Sequence, residues 1–172
     1  MEYAMYFAYG SNMNLHQMAF RCPQAQRIGP VRLNGYRLAF RSNGGGCGVA
    51  TVLRQPGSNV DGVLWRISTE DERSLDAYEG FPRLYKKERL TVEGQDGTVH
   101  EVMAYTMNAP YRDIPAYPSA YYLGGILMGL SQNGMEIEPV RTAAEKTGKE
   151  MRQWNKTHTK KQSDRTGNDL QR

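Results

Sequence analysis

Tyr6-Phe7-Ala8-Tyr9-Gly10-Ser11-Asn12, close to the N-terminus, is the stretch from which the fold is read. Tyr3 to Tyr9 is rich in aromatic and short apolar residues, the composition of a mostly buried strand. Gly10-Ser11-Asn12 then turns the chain, because glycine and asparagine tolerate backbone angles that other residues avoid. Asn14 to Phe20 follows with Leu15, Met18 and Ala19 on one face, so a helix is expected there. A strand, a glycine turn and a helix start leave several N–H groups unpaired and aimed at one point. Such a point can hold a carboxylate, or the oxyanion of an acyl transfer. The plainer alternative is a tight turn whose Ser or Asn caps the next helix. This stretch alone favours the cap.

Further along, Val31 to Phe40 reads as a strand kinked at Asn34-Gly35. Arg41 to Gly48 holds four glycines in five positions, either a floppy hairpin loop or backbone free to approach a ligand. Val49 to Leu53 and Val60 to Ile67 read as two strands around the turn Gln55-Pro56-Gly57-Ser58-Asn59. Thr69-Glu70-Asp71-Glu72 has the form of a capping box with Thr69 as N-cap, opening a short helix that stops at Glu79-Gly80. Leu84 to Glu93 and Val99 to Met107 are two more strands, joined across Gly94 to Gly97. Ser119 caps a helix through Leu130 despite Gly124 and Gly125, and Pro139 opens a last amphipathic helix to about Trp154. About six strands with short helices between them argue against a doubly wound sheet. The expectation is an α+β fold: a small mixed β-barrel with flanking short helices.

The length suits one domain with a sizeable core, expected over residues 1–155. From residue 156 the chain is polar with only Leu170 apolar, so 156–172 is expected to be a basic tail without fixed order. Residues 141–172 hold nine Lys/Arg against four Asp/Glu, which leaves the first 140 residues near neutral. With no aromatic residue past Trp154, that basicity reads as a solvated end rather than a nucleic-acid contact. No apolar run approaches the roughly 20 residues needed to cross a bilayer, and the N-terminus has no signal-peptide pattern. Cys22 and Cys47 are therefore expected to be reduced thiols in a cytoplasmic protein.

Glu79 is the most informative charged residue. It closes a helix just before Gly80, where the partial negative charge of the helix end disfavours a carboxylate. Asp76 one turn back and the apolar Phe81 would raise its pKa if it is buried. A carboxyl so raised can act as general acid and base near neutrality; an exposed surface glutamate is the equal alternative. Other chemistries find less. Ser11 lacks the second glycine of a nucleophile elbow, since Met13 follows Asn12. His16, His100 and His158 are scattered, no metal-ligand spacing occurs, and the glycine loop has no following Lys-Ser/Thr.

Tyr6 to Asn12, Gly48-Val49-Ala50-Thr51, Gly62-Val63-Leu64-Trp65, Leu75 to Gly80 and Pro118 to Tyr122 occur in that order. Together they resemble the γ-glutamylcyclotransferase (AIG2-like) family over roughly residues 3–135. The resemblance implies a small β-barrel and intramolecular aminolysis of a small γ-glutamyl amide to 5-oxoproline and a free amine, without a cofactor. It makes Glu79 the catalytic acid/base. Tyr9, Gly10, Ser11 and Asn12 become the loop that binds the γ-glutamyl group, and Tyr122 a substrate-contacting tyrosine. Which amine leaves, and whether the chain forms a homodimer, stay open. A non-catalytic binding protein on the same barrel is the alternative, and it has no need of an awkwardly placed Glu79.

Overall fold

The computed structural model describes residues 2–168, with side chains through Thr159 in the last helix. Five strands, β1 (Tyr3–Ala8), β2 (Gln26–Ser42), β3 (Gly48–Ser68), β4 (Tyr85–Gly94) and β5 (Val99–Met107), close into a barrel in the order β1-β3-β2-β4-β5. Four helices flank it: α1 (Leu15–Arg21), α2 (Thr69–Glu79), α3 (Ala120–Gln132) and α4 (Glu138–Asn168). Neighbouring strands run antiparallel except at the seam, where β1 meets β5 in parallel at Tyr6 and Met103. Closure removes the exposed edges of a sheet this small. The interior is filled by side chains such as Phe7, Phe40, Leu64 and Val92, each almost wholly buried.

The strand count is five and not six because the two segments expected around Pro56-Gly57 are one strand. Both pair with β2, Leu53 opposite Arg37 and Val60 opposite Leu33. The turn residues form a bulge opposite Gly35, whose φ is +81°. Bulges of this kind bend a strand without ending it. The cap of α2 also moves one residue. Ser68 is the N-cap, its Oγ accepting from Asp71 N–H at 3.1 Å while Asp71 Oδ2 accepts from Ser68 N–H at 3.1 Å.

Helix α3 packs against the turn after β1 at very close range. A Cβ on Gly129 would lie 2.6 Å from the backbone nitrogen of Asn14, so only glycine fits there. Asn133 donates to the Met13 carbonyl at 3.0 Å and Asn14 to the Gly125 carbonyl at 3.0 Å. These contacts fix Tyr122, on the first turn of α3, against the end of β1.

Helix α4 continues through Asn168, past the boundary at 155 where the sequence predicts loss of order; residues 169–172 lie outside the described residues. Thr157 and Thr159 bond back to the carbonyls four residues earlier, supporting the helix locally. Its first half is attached to the barrel through buried Val140, Ala144 and Thr147 and the pair of Glu150 with buried Arg41 at 2.6 Å. No helix among the described residues is long and apolar enough to cross a membrane. Deleting residues 156–172 should leave the thermal midpoint nearly unchanged, because no residue from Asn155 to Thr159 is buried. Glu150→Ala should lower it, since it strands the buried Arg41 guanidinium. Thermal denaturation of both variants checks the pair, and a large drop in the truncated chain would show that the tail docks.

Candidate active site

The strand-turn-helix stretch opens onto a cavity of about 220 Å³ between the barrel end, α2 and α3. Every sequence-predicted site residue lines it: Tyr9, Gly10, Ser11, Asn12, Glu79 and Tyr122. Gly10 caps a single 3-10 turn, Ser11–Met13, closed by the Met13 N–H on the Gly10 carbonyl at 3.1 Å. The amides ahead of that first bond have no partner within the turn. Gly10 itself has φ −120°, so a left-handed backbone is not why glycine stands there. A Cβ would sit 3.3 Å from that of Ala50, a tight contact that asks for a small shift, and 3.4 Å from the Tyr122 hydroxyl, in ordinary contact with it.

Glu79 is the last residue of α2, and Gly80 follows with φ +64°, the left-handed cap that lets the chain leave the helix. The glutamate is half-buried and accepts from Asn12 Nδ2 at 3.2 Å. Burial raises its carboxyl from 4.5 to about 7, with the Arg21 guanidinium pulling the other way. Asp76 is not a cause. It turns toward the barrel instead, accepting from Tyr105 OH at 2.6 Å and pairing with Lys87 at 2.9 Å. Phe81 lies under the Lys87 ammonium, 4.6 Å from its ring centre. Lys87 also meets Glu72 at 2.6 Å, so one lysine clamps α2 onto β4 and sets where its C-terminal residue falls.

Arg21, the first Lys or Arg in the chain, is the main residue that sequence reasoning missed. Its Nη1 donates to Asn12 Oδ1 at 2.7 Å and to Ser11 Oγ at 3.2 Å, and its Nη2 to Gln17 Oε1 at 2.9 Å. The guanidinium lies 3.6 Å from the ring centre of Tyr78, whose hydroxyl is 2.9 Å from Ser11 Oγ. Its position four residues after Gln17, on one helical face, was the only signal available. Tyr6, Tyr78, Tyr85 and Tyr105 also line the cavity and were not singled out for it. Of the glycine loop, only Asn43 reaches the cavity wall, while Gly44 to Cys47 are exposed. Ser11 Oγ is held by Arg21 and Tyr78, an arrangement for positioning rather than for a nucleophile.

The γ-glutamyl cyclotransferase, AIG2-like family model matches residues 6–123. The chain is 33% identical over 144 residues to the γ-glutamylcyclotransferases of Bos taurus and Homo sapiens, covering 80% of this chain and 75% of each relative. A solved structure described as a γ-glutamyl cyclotransferase superposes with a TM-score of 0.74 at 31% identity, covering 86% of this chain and 87% of that one. The chain belongs to the γ-glutamyl cyclotransferase, AIG2-like family.

A carboxyl whose folded pKa lies above its ordinary value favours the neutral form in the native state, so ionising it costs native stability. That cost is absent below pH 4.5 and complete above about pH 7. Glu79→Gln, which can still accept from Asn12, should therefore be more stable than the parent at alkaline pH. The difference should vanish in acid. Thermal midpoints of the two proteins on either side of neutrality check the sign.

Proposed function

We propose that this chain converts a small γ-glutamyl amide to 5-oxoproline and a free amine, with Glu79 as the acid/base. The observation that carries the role of Glu79 is its half-buried carboxyl at a helix end, held by Asn12 beside the Gly10–Asn12 turn. The reaction needs a base to free the α-amine and an acid to release the leaving amine. A carboxyl near 7 exchanges a proton in both directions at neutral pH. Glu79 takes one proton from the α-ammonium, and the freed lone pair attacks the γ-carbonyl carbon, pushing the carbonyl electrons onto oxygen. As the carbonyl re-forms, the bond to the leaving nitrogen breaks and that nitrogen takes the proton from Glu79. The new ring nitrogen sheds its second proton to Glu79, and this proton departs with the product amine as its ammonium. Atoms and charge balance without a cofactor.

The cavity is small for a ligand site, since drug-sized ligands occupy about 300 Å³ or more. It suits the single γ-glutamyl group, with the leaving amine toward the opening. The unpaired amides of the turn and the Arg21 charge favour the substrate α-carboxylate on that wall. A binding protein would gain nothing from an ionisable carboxyl held against its helix dipole.

Glu79→Gln should bind substrate and fold, yet lose about 10²–10⁴ in kcat, the usual contribution of a positioned acid/base. In the parent, kcat/KM should fall as pH drops below about 7, where Glu79 holds its proton. Screening γ-glutamyl amino acids and γ-glutamyl amines for 5-oxoproline release measures both effects. Near-parental turnover in a folded Glu79→Gln protein would end this mechanism.

A further inference from the structure

Six tyrosine hydroxyls line the cavity, and their hydrogen bonds run in different directions. Tyr9 donates to the Tyr105 carbonyl, Tyr85 to the Ala50 carbonyl and Tyr105 to the Asp76 carboxylate. Those three protons are spent on fixed acceptors. Tyr78 shares its hydrogen bond with Ser11, where either oxygen can donate. Tyr6 and Tyr122 are the reverse case: each accepts.

The direction at Tyr6 follows from Arg21. A guanidinium has donors only, so its contact at 2.7 Å commits the Asn12 side chain to present Oδ1 to Arg21. The other end of that amide, Nδ2, is then the donor to Tyr6 OH at 3.0 Å and to Glu79 at 3.2 Å. Tyr6 OH therefore receives a hydrogen bond, and its own proton meets no acceptor among the described residues. At Tyr122 the Ala50 N–H donates to the hydroxyl at 3.0 Å, which likewise leaves the phenol proton unspent. Tyr6 is 3% exposed yet lines the cavity, so an acceptor for its proton has to come from whatever fills that cavity. A buried donor without a partner is unfavourable, and a ligand oxygen in the cavity is what would satisfy it.

Resting on the cyclotransferase reading, we infer that the Tyr6 and Tyr122 hydroxyls donate to the γ-carbonyl oxygen and hold the oxyanion that forms on it. Both phenols keep their protons at working pH, since burial and the charge of Glu79 raise them. Asn12 Nδ2, bonded to both Tyr6 and Glu79, keeps the Tyr6 hydroxyl beside the carboxyl that moves the proton, and Tyr122 lines the same cavity. The attack described above puts negative charge on the carbonyl oxygen, and two fixed O–H donors stabilise it more than they stabilise the neutral carbonyl. Arg21 is a positioning residue in this scheme: through Asn12 it sets which way the Tyr6 proton points.

The test is 5-oxoproline release from γ-glutamyl-alanine by the parent, Tyr6→Phe and Tyr122→Phe, on both sides of neutrality. Tyr6→Phe keeps the ring that packs edge-on against Tyr105 and leaves Asn12 bonded to Glu79. It should lose about 10²-fold in kcat with KM little changed, the effect of removing one oxyanion donor. The acid limb set by Glu79 should stay in place. A shifted limb in Tyr6→Phe would mean that the hydroxyl only holds Asn12 and Glu79, which overturns the inference. Parental kcat in a folded Tyr6→Phe protein would also overturn it while leaving the cyclotransferase reading intact. If Tyr6→Phe does not fold, Tyr122→Phe carries the same expectation and the same refutation. No release by the parent from any γ-glutamyl amide would overturn the reading itself.

Discussion

The side-chain amide of Asn12 has one acceptor end and one donor end, and the site is arranged around that asymmetry. Arg21 can only donate, so it takes Oδ1 at 2.7 Å. Nδ2 is left to donate to Glu79 and Tyr6. One asparagine thereby ties three elements together, α1 through Arg21, β1 through Tyr6 and the end of α2 through Glu79. None of these residues is held by a long-range hydrophobic contact alone. The geometry depends on the 3-10 turn keeping Asn12 buried, and the turn depends on α3 seated against it at Gly129.

The carboxyl at the centre is in a place that stability would not choose. It ends a helix whose macrodipole opposes it, and burial opposes its charge further. Asn12 offers one hydrogen bond to the ionised form, and Arg21 pulls the pKa down without contacting it. The balance leaves the group near 7 rather than at 4.5. Ground-state stability is given up for a proton that moves either way, a common feature of active sites. Around the carboxyl, phenol rings line the cavity while most of their hydroxyls supply donors and acceptors of fixed direction.

Much of this was legible in the sequence, and the reasons are local. Strand, glycine turn and helix are written in consecutive residues from Tyr6 to Phe20, and Glu79 announces itself by standing where a helix prefers a cation. What was not legible depends on tertiary pairing. Pro56-Gly57 carries turn chemistry, yet the flanking segments share one partner, β2, and stay a single strand. Asp76 is one helical turn from Glu79, but Lys87 and Tyr105 draw its carboxylate to the barrel. Arg21 reads as an ordinary helix-end cation until the turn folds back beneath it.

The pKa of the Glu79 carboxyl in the folded protein is the quantity on which the acid/base role rests. Isotope-edited carboxyl NMR, with Glu79→Gln identifying the resonance, measures it directly. The structure leads to a midpoint of about 7, moved upward when Arg21 is replaced by glutamine and its charge is removed. A midpoint near 4.5, the ordinary value for a glutamate, would mean that the carboxyl is solvated and ionised at neutral pH. The site described above would then lack a base strong enough to take the α-ammonium proton.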